Sequence, residues 1–123
     1  MKIGSNITKI GKNAFYGCKN LKTVTVGKNV LEIGAKAFYK CAALTKVTIP
    51  AKVRKIGKLA FYGCRKLKLI NVRTKKLTNK RVGAKAFQNI HTKTRIKVPA
   101  AKREAYKKLF RAKGVTGKKQ VIK

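Results

Sequence analysis

Hydrophobic residues recur along this chain in a pattern that repeats every 23 residues. Each copy carries Ile-Gly, then Ala-Phe, then a Cys, a Leu and a stretch in which β-branched residues alternate with others. Three copies occupy Ile10–Gly27, Ile33–Pro50 and Ile56–Arg73, and a fourth, Val82–Pro99, follows after a step of 26 residues. Repeats of this length are typical of stacked units that bury one continuous core. The pattern therefore predicts a repeat solenoid of the α/β class.

Within a unit, the alternating stretch predicts a short strand, as at Leu44–Ile49. Stacked units would pair these strands in parallel at a spacing of about 4.8 Å. The Gly or Pro that follows turns the chain, and we expect Val53 and Ile56 to point inward from the opposite wall. The segment Ala35–Tyr39 is too short for an isolated helix and predicts a single helical or 3₁₀ turn.

Some residue types occupy the same position in every unit and should form ladders along the core. The aromatic ladder consists of Phe15, Phe38, Phe61 and Phe87. A glycine follows the inward Ile or Val of each unit, where we expect either positive φ or close stacking of the backbone. The fourth unit is less regular, because Ile90 replaces the Cys, Lys93 replaces the Leu, and three extra residues within 74–81 predict a bulge.

After Pro99 the pattern changes to that of a helix over 100–113, with Gly114 as its stop. Its apolar stripe comprises Ala105, Tyr106, Leu109 and Phe110. We expect this helix to cap the open end of the solenoid; a basic amphipathic helix lying on a membrane is the alternative. A short strand, Gln120–Ile122, should follow.

These patterns divide the chain into repeats over 1–99, as a half repeat plus four units, and a cap over 100–123. Ile3 aligns with Val26, so the chain starts in mid-repeat. We interpret it as a fragment of a longer repeat protein; the alternative is a short protein whose half repeat serves as its own cap. We expect a monomer, with end-to-end association at the N-terminal end as an alternative.

Charge changes the picture, because 34 Lys and Arg residues face only two acids, giving a formal net charge of +32. Such an excess indicates anionic partners and lowers stability through self-repulsion. The lysines recur in the turns and in the cap, whereas nucleic-acid readers usually concentrate charge on one face. Nucleic acid is therefore the less favoured partner. No apolar run reaches the roughly 20 residues of a membrane span, and no secretory signal is present.

Candidate catalytic residues are few. His91 is the only histidine, and Glu32 and Glu104, which should pair with neighbouring lysines or favour the first turn of the helix, are far apart in sequence. The three cysteines share one repeat position and are expected to be buried, reduced thiols, with a disulfide between two neighbours as the alternative. A row of three thiols suits zinc poorly. We expect no enzyme activity, no metal and no cofactor.

Two surfaces remain for binding. Tyrosines follow the core Phe in three units and could stack bases, although half-buried packing is the more common role. The strand residues that point away from the core define a predicted concave face, along which solenoids generally bind. Its first row comprises Thr23, Lys46, Leu69 and Arg95, and its second row comprises Lys2, Thr25, Thr48, Asn71 and Lys97.

The pattern I-G-x-x-A-F-x-x-C-x-x-L-x-x-V-x-I-P over residues 3–99 resembles the BspA-like leucine-rich repeats of bacterial surface proteins. The segment 97–123 is similar to the C-terminal cap of many such proteins. Departures are Gly27 in place of Pro, Ile90 in place of Cys, and the insertion. The resemblance implies a curved right-handed solenoid with strands on the concave side, and non-enzymatic adhesion at the cell surface or outside the cell.

The expected function is therefore contact with host or bacterial surface proteins, anionic glycans or wall polymers. Two alternatives stay open, which are a polyanion or nucleic-acid binder and a structural spacer within a larger surface protein.

Overall fold

The computed structural model describes all 123 residues, which form two parallel sheets and one helix. The larger sheet has five strands, in the order β2 (Thr23–Thr25), β4 (Lys46–Ile49), β6 (Leu69–Val72), β7 (Arg95–Lys97) and β8 (Val121–Ile122). The smaller sheet has three, β1 (Lys9–Ile10), β3 (Glu32–Ile33) and β5 (Lys55–Ile56). Each unit thus contributes one strand to the larger sheet, and the predicted parallel stacking is confirmed.

The strands are shorter than the alternating stretches predicted. Leu44 lies before β4, in a turn closed by a hydrogen bond from its N–H to the Cys41 carbonyl. The smaller sheet was not predicted at all, because a two-residue strand carries a single inward residue and so shows no alternation. The inward direction of Val53 and Ile56 is confirmed, since both are buried.

The predicted aromatic ladder is the spine of the core. Phe15, Phe38, Phe61 and Phe87 stack face to face, with centroid distances of 5.2, 5.0 and 5.3 Å. Phe110 of the helix continues the ladder, 4.9 Å from Phe87 and tilted by 57°. The helix therefore closes this end of the core with an aromatic side chain, as a cap should.

The segment around each core phenylalanine is a run of β-turns, so the predicted helical or 3₁₀ turn is wrong. Ala37 N–H donates to the Gly34 carbonyl within its own unit, whereas Phe38 N–H donates to Ala60 of the next unit. A helix would keep all these bonds inside the unit. Alternating bonds also bring residues such as Lys36 to positive φ, 55° in this case. Stacking on the neighbouring unit therefore selects turns.

The glycine after the inward Ile or Val does not adopt positive φ in any unit, and from the second unit onward it serves close stacking on the preceding unit. A Cβ on Gly34 would lie 2.6 Å from Lys12 N and 2.7 Å from Gly11 C of the preceding unit. Real Cβ atoms do not approach backbone this closely, so only glycine fits. Of the two explanations offered by the sequence, the structure selects the second.

The cap consists of a 3₁₀ turn (Ala100–Lys102), the helix α1 (Arg103–Ala112) and β8. Gly114, with φ of 116°, ends α1 as predicted, and Val115 N–H donates to the Phe110 carbonyl in the pattern of a Schellman motif. Tyr106 is buried with Leu109 and Phe110, but Ala105 is exposed, so the predicted stripe is narrower by one residue.

The insertion in the fourth unit packs under the cap instead of projecting as a bulge. Leu77 is buried, and Tyr106 Oη bonds to the insertion twice, accepting from Leu77 N–H and donating to the Thr74 carbonyl. In the same unit Thr94, and not Lys93, occupies the buried position that Leu67 has in the preceding unit. The turn before it is shifted by one residue, since Thr94 N–H donates to the His91 carbonyl as Leu67 N–H does to the Cys64 carbonyl. The buried Thr94 hydroxyl lies 2.6 Å from the Leu67 carbonyl oxygen and 2.7 Å from that of His91, and these two acceptors share its single proton.

Candidate functional site

Eight residues of the predicted concave face lie side by side across the larger sheet. The strand register aligns Thr23 with Lys46, Lys46 with Leu69, and Leu69 with Arg95. The second row, formed in the same way, comprises Thr25, Thr48, Asn71 and Lys97. Lys2 joins the second row through a bridge to Thr25. The geometry thus brings all these residues together, and their role in binding stays a prediction.

Most side chains of these rows have free polar ends. Lys46, Arg95 and Lys97 are exposed and make no side-chain hydrogen bond or ion pair. Leu69 is half-buried between Lys46 and Arg95, which makes an apolar spot between two cations. Such a surface can accept an anionic or polar group on either side of a hydrophobic contact.

Two features of this face were missed by the sequence reasoning. Val121 of β8 extends the first row beside Arg95, because the cap adds a strand to the same sheet. A groove of about 680 Å³ borders the second row and brings Lys28 and Arg73 next to Thr25 and Thr48. This volume is within the range of small-molecule sites. Arg73 holds the repeat position of Gly27 and Pro50, and Lys28 holds the next one, so no repeated pattern in the sequence indicated the groove.

The cations of the chain are almost entirely unpaired. Only two ion pairs occur, Lys9 with Glu32 and Lys107 with Glu104, each with an N to O distance of 3.9 Å. Both pairs involve exposed lysines, where such contacts contribute little stability. Glu104 lies in the first turn of α1, as expected. The rest of the positive charge is therefore available to anions.

The three cysteines are free thiols. Cys41 and Cys64 are buried, and their Sγ atoms donate to the Phe15 and Phe38 carbonyls, each at 3.1 Å. The contact with the Cys41 sulfur, together with burial, raises the pKa of Cys64. Cys18, at the end of the row, is half-buried. The same contact lowers the pKa of Cys41, which is as deeply buried as Cys64. Both inner thiols are packing groups in the core, and Cys64 is the one held protonated.

His91 has a structural contact of its own, because its Nδ1 accepts the Lys93 N–H at 3.0 Å. Nowhere in the chain do three His, Cys, Asp or Glu side chains lie close enough to hold a metal ion. The only α-helix, α1, is too short and too polar to cross a membrane.

The tyrosines form a second stacked row beside the phenylalanine ladder, in which Tyr16 is exposed and Tyr39 and Tyr62 are half-buried. Tyr16 stacks on Tyr39 at 4.8 Å and Tyr39 on Tyr62 at 5.3 Å. Lys36 and Lys40 place their Nζ atoms 5.6 and 5.4 Å from the centre of the Tyr39 ring. Both faces of Tyr39 are thus covered by tyrosines, so no base can insert there.

Parallel strands supplied one per unit, with Phe, Cys and Leu in register along the core, place this chain in the class of leucine-rich-repeat proteins. The chain belongs to the family described as the BspA type leucine rich repeat region, whose sequence model matches residues 1–116 in six copies. That match extends beyond the repeats predicted over 1–99 into the cap.

A crystal structure of a leucine-rich repeat protein from Bacteroides ovatus is similar, with 24% identity and a TM-score of 0.47. The alignment covers 100% of this chain and 42% of that protein, so the chain spans less than half of its length. No curated protein matches the sequence.

Proposed function

We propose that this chain is a non-enzymatic binding module of a bacterial cell-surface protein, displayed outside the cell. Its partner contacts the predicted concave face and is a surface protein or an anionic glycan or wall polymer. The observation that carries the proposal is the alignment of eight outward side chains in two rows, with free cations at Lys46, Arg95 and Lys97. Solenoids generally bind along such surfaces.

The membership of the chain in the BspA-type family supports a role in surface interaction. The unpaired positive charge supports anionic partners, because electrostatic complementarity raises association rates and selects partners by charge. The groove with Lys28 and Arg73 beside the second row would extend the contact.

The test is a screen of immobilised host surface proteins and glycans, followed by affinity measurements on each hit. Lys46→Glu with Arg95→Glu reverses two cations within the first row. We expect at least a tenfold weaker affinity, about 1.4 kcal/mol or more. The matched control, Lys118→Glu with Lys119→Glu, makes the same charge change in the exposed cap.

Equal weakening by both double variants would mean that overall charge, and not the concave face, carries the binding. The absence of any hit would favour a structural spacer.

A second candidate, a polyanion or nucleic-acid binder, is favoured by the net charge of +32 alone. Phosphate-driven binding to duplex DNA would weaken with salt, with a logarithmic slope of about 0.9 per phosphate contacted. An affinity for DNA that does not change between low and physiological salt would remove this candidate.

A further inference from the structure

A small notch with three cationic side chains lies outside the predicted concave face, where the turns of neighbouring units meet. It encloses about 290 Å³ and is lined by Lys19, Lys40, Ala42, Tyr62, Gly63, Arg65 and Asn89. The residue after the repeat cysteine is Lys19 in the first unit, Ala42 in the second and Arg65 in the third. The notch exists because a short side chain lies between two long cationic ones.

Lys19 and Arg65 are two units apart, which corresponds to about 10 Å between their backbones. Both side chains are exposed, and neither has an acidic partner, since the two ion pairs of the chain involve other lysines. Both can therefore reach a single anion placed over Ala42.

Lys40 supplies the third cation. Its Nζ lies 5.4 Å from the centre of the Tyr39 ring and has no acidic partner, so it can turn from the ring to an anion in the notch. A lysine at this position has a conformational cost. Its φ is 54°, at a position where the adjacent units have Gly17 and Gly63 with φ of 67° and 77°. Lysine is less favourable than glycine in this left-handed region, although the repeated turns also hold Asn89 there, at the equivalent position of the fourth unit. Gly63 also leaves room for the Lys40 stem, because a Cβ there would come within 2.9 Å of Lys40 Cγ.

Tyr62 adds a neutral donor to the notch. Its Oη accepts a hydrogen bond from Asn89 Nδ2 at 3.0 Å, which leaves its own O–H free to donate. No acidic side chain lines the notch. Three cations and a hydroxyl donor around a small apolar floor match a tetrahedral oxyanion, whose oxygens accept charge-assisted hydrogen bonds in several directions.

We propose that this notch binds a sulfate or phosphate monoester carried on a saccharide. A saccharide fits better than a nucleic acid because Tyr39 is covered on both faces by Tyr16 and Tyr62, so a base cannot insert between the tyrosines beside the notch. The saccharide hydroxyls can instead bond to polar groups such as the Asn89 amide at the rim. The notch shares no residue with the predicted concave face, so this proposal and the proposed function can fail separately.

The test is an NMR titration of the isotope-labelled chain at physiological salt, about 0.15 M. The probes are a sulfated disaccharide, the corresponding phosphorylated disaccharide and the unsubstituted disaccharide. The amide resonances of Ala42, Gly63 and Asn89 should shift with one or both esters and not with the unsubstituted sugar. The ester that binds more tightly identifies the natural group.

Variants separate the notch from general charge. Lys40→Gly and Arg65→Gln should each weaken ester binding about tenfold, whereas Lys75→Gln, which removes one exposed cation elsewhere, should change it less than twofold. Lys40→Gly should also melt at the same or a higher temperature, because glycine suits the positive φ. Loss of binding without loss of stability is an effect that a purely structural lysine would not show.

The proposal is overturned if ester-induced shifts spread over the lysine-rich surface, or if the notch variants bind like Lys75→Gln. It is also overturned if the unsubstituted disaccharide shifts the same amides, or if a short oligothymidylate binds the notch more tightly than both esters. Should Lys40→Gly fail to fold, Ala42→Glu provides the same test, since it places a carboxylate on the exposed floor and should abolish binding.

Discussion

Glycines in the close-packed wall are the residues on which stacking depends most directly. A Cβ on Gly57 would lie 2.6 Å from Ala35 Cα and 2.7 Å from the Gly34 carbonyl carbon, both backbone atoms of the preceding unit. Backbone cannot move away without separating two units. We therefore expect Gly57→Ala to destabilise the fold by about 3 kcal/mol, measured by chemical denaturation.

The chain contains its own control for this prediction. Gly11 holds the same repeat position, but a Cβ there would meet nothing within 4 Å. Gly11→Ala should change the free energy of unfolding by less than about 0.5 kcal/mol. Similar costs for the two variants would show that glycine flexibility, and not close stacking, explains the repeat position.

The thiols differ in accessibility although they occupy one repeat position. Cys18 is half-buried, whereas Cys41 and Cys64 are buried with their S–H groups bonded to carbonyls. The thiolate is the reactive form, and the raised pKa of Cys64 lowers its thiolate fraction further. Iodoacetamide should therefore modify Cys18 well before the other two, as followed by mass spectrometry of peptides.

In the Cys18→Ala variant, native labelling should fall close to zero and return only when the protein is unfolded. Equal labelling rates for the three thiols would contradict the burial of the inner pair.

At the residue scale, the sequence was sufficient to identify the inward positions. Phe38, Cys41 and Leu44 are buried as predicted, because their spacing repeats in each copy and only a common packing role explains that repetition. It was not sufficient where one unit departs from the others. Thr94 takes the buried position expected for Lys93, because the turn before it is shifted by one residue. The shift occurs in one unit only, so no repetition in the sequence could indicate it.

At the scale of elements, the insertion and α1 form one structure. The Tyr106 hydroxyl bonds to the backbone of Thr74 and Leu77, both of which are buried. Tyr106→Phe leaves these two backbone groups without a partner. The expected cost is about 2 kcal/mol of unfolding free energy at neutral pH, within the usual range for unsatisfied buried groups.

The same tyrosine makes a prediction about pH. Burial raises the pKa of Tyr106, and the Leu77 N–H opposes that shift only in part. Above about pH 10 the unfolded chain releases the tyrosine proton while the folded chain retains it, so stability falls as pH rises. The free energy of unfolding of the wild type should fall relative to that of Tyr106→Phe above about pH 10. The lysines titrate in both proteins, so their effect cancels in this difference. A constant difference between them across this range would contradict the buried, neutral hydroxyl.

A strand, helix or turn could be predicted from the sequence where the local residue pattern alone determines its conformation. The strands of the larger sheet and the end of α1 at Gly114 follow from alternation and from the positive φ that glycine tolerates. The helical turn at Ala35–Tyr39 was wrong because hydrogen bonds to the next unit decide that conformation. The handedness and curvature of the solenoid stay predictions of the family resemblance.

At the scale of the whole molecule, the candidate sites depend on register. The rows of the predicted concave face could be read from the sequence, because one constant step aligns them. The groove at Arg73 and the notch at Ala42 could not, since each is created by the differences between units. A binding surface on a repeat protein is thus easiest to predict where it is most regular and hardest where it is most specific.

The charge of the whole molecule makes the last prediction. With 34 basic residues, two acids and only two exposed ion pairs, the folded chain repels itself. Raising sodium chloride from about 0.1 to about 1 M shortens the Debye length from about 10 to about 3 Å and screens this repulsion. The melting temperature should therefore rise by several degrees, measured by circular dichroism.

A variant tests the same repulsion directly. Replacing the exposed Lys12, Lys58, Lys118 and Lys119 by Gln, outside both proposed sites, should raise the melting temperature at low salt and reduce its salt dependence. A melting temperature that is independent of salt, or that falls, would show that the positive charge does not limit the stability of the fold.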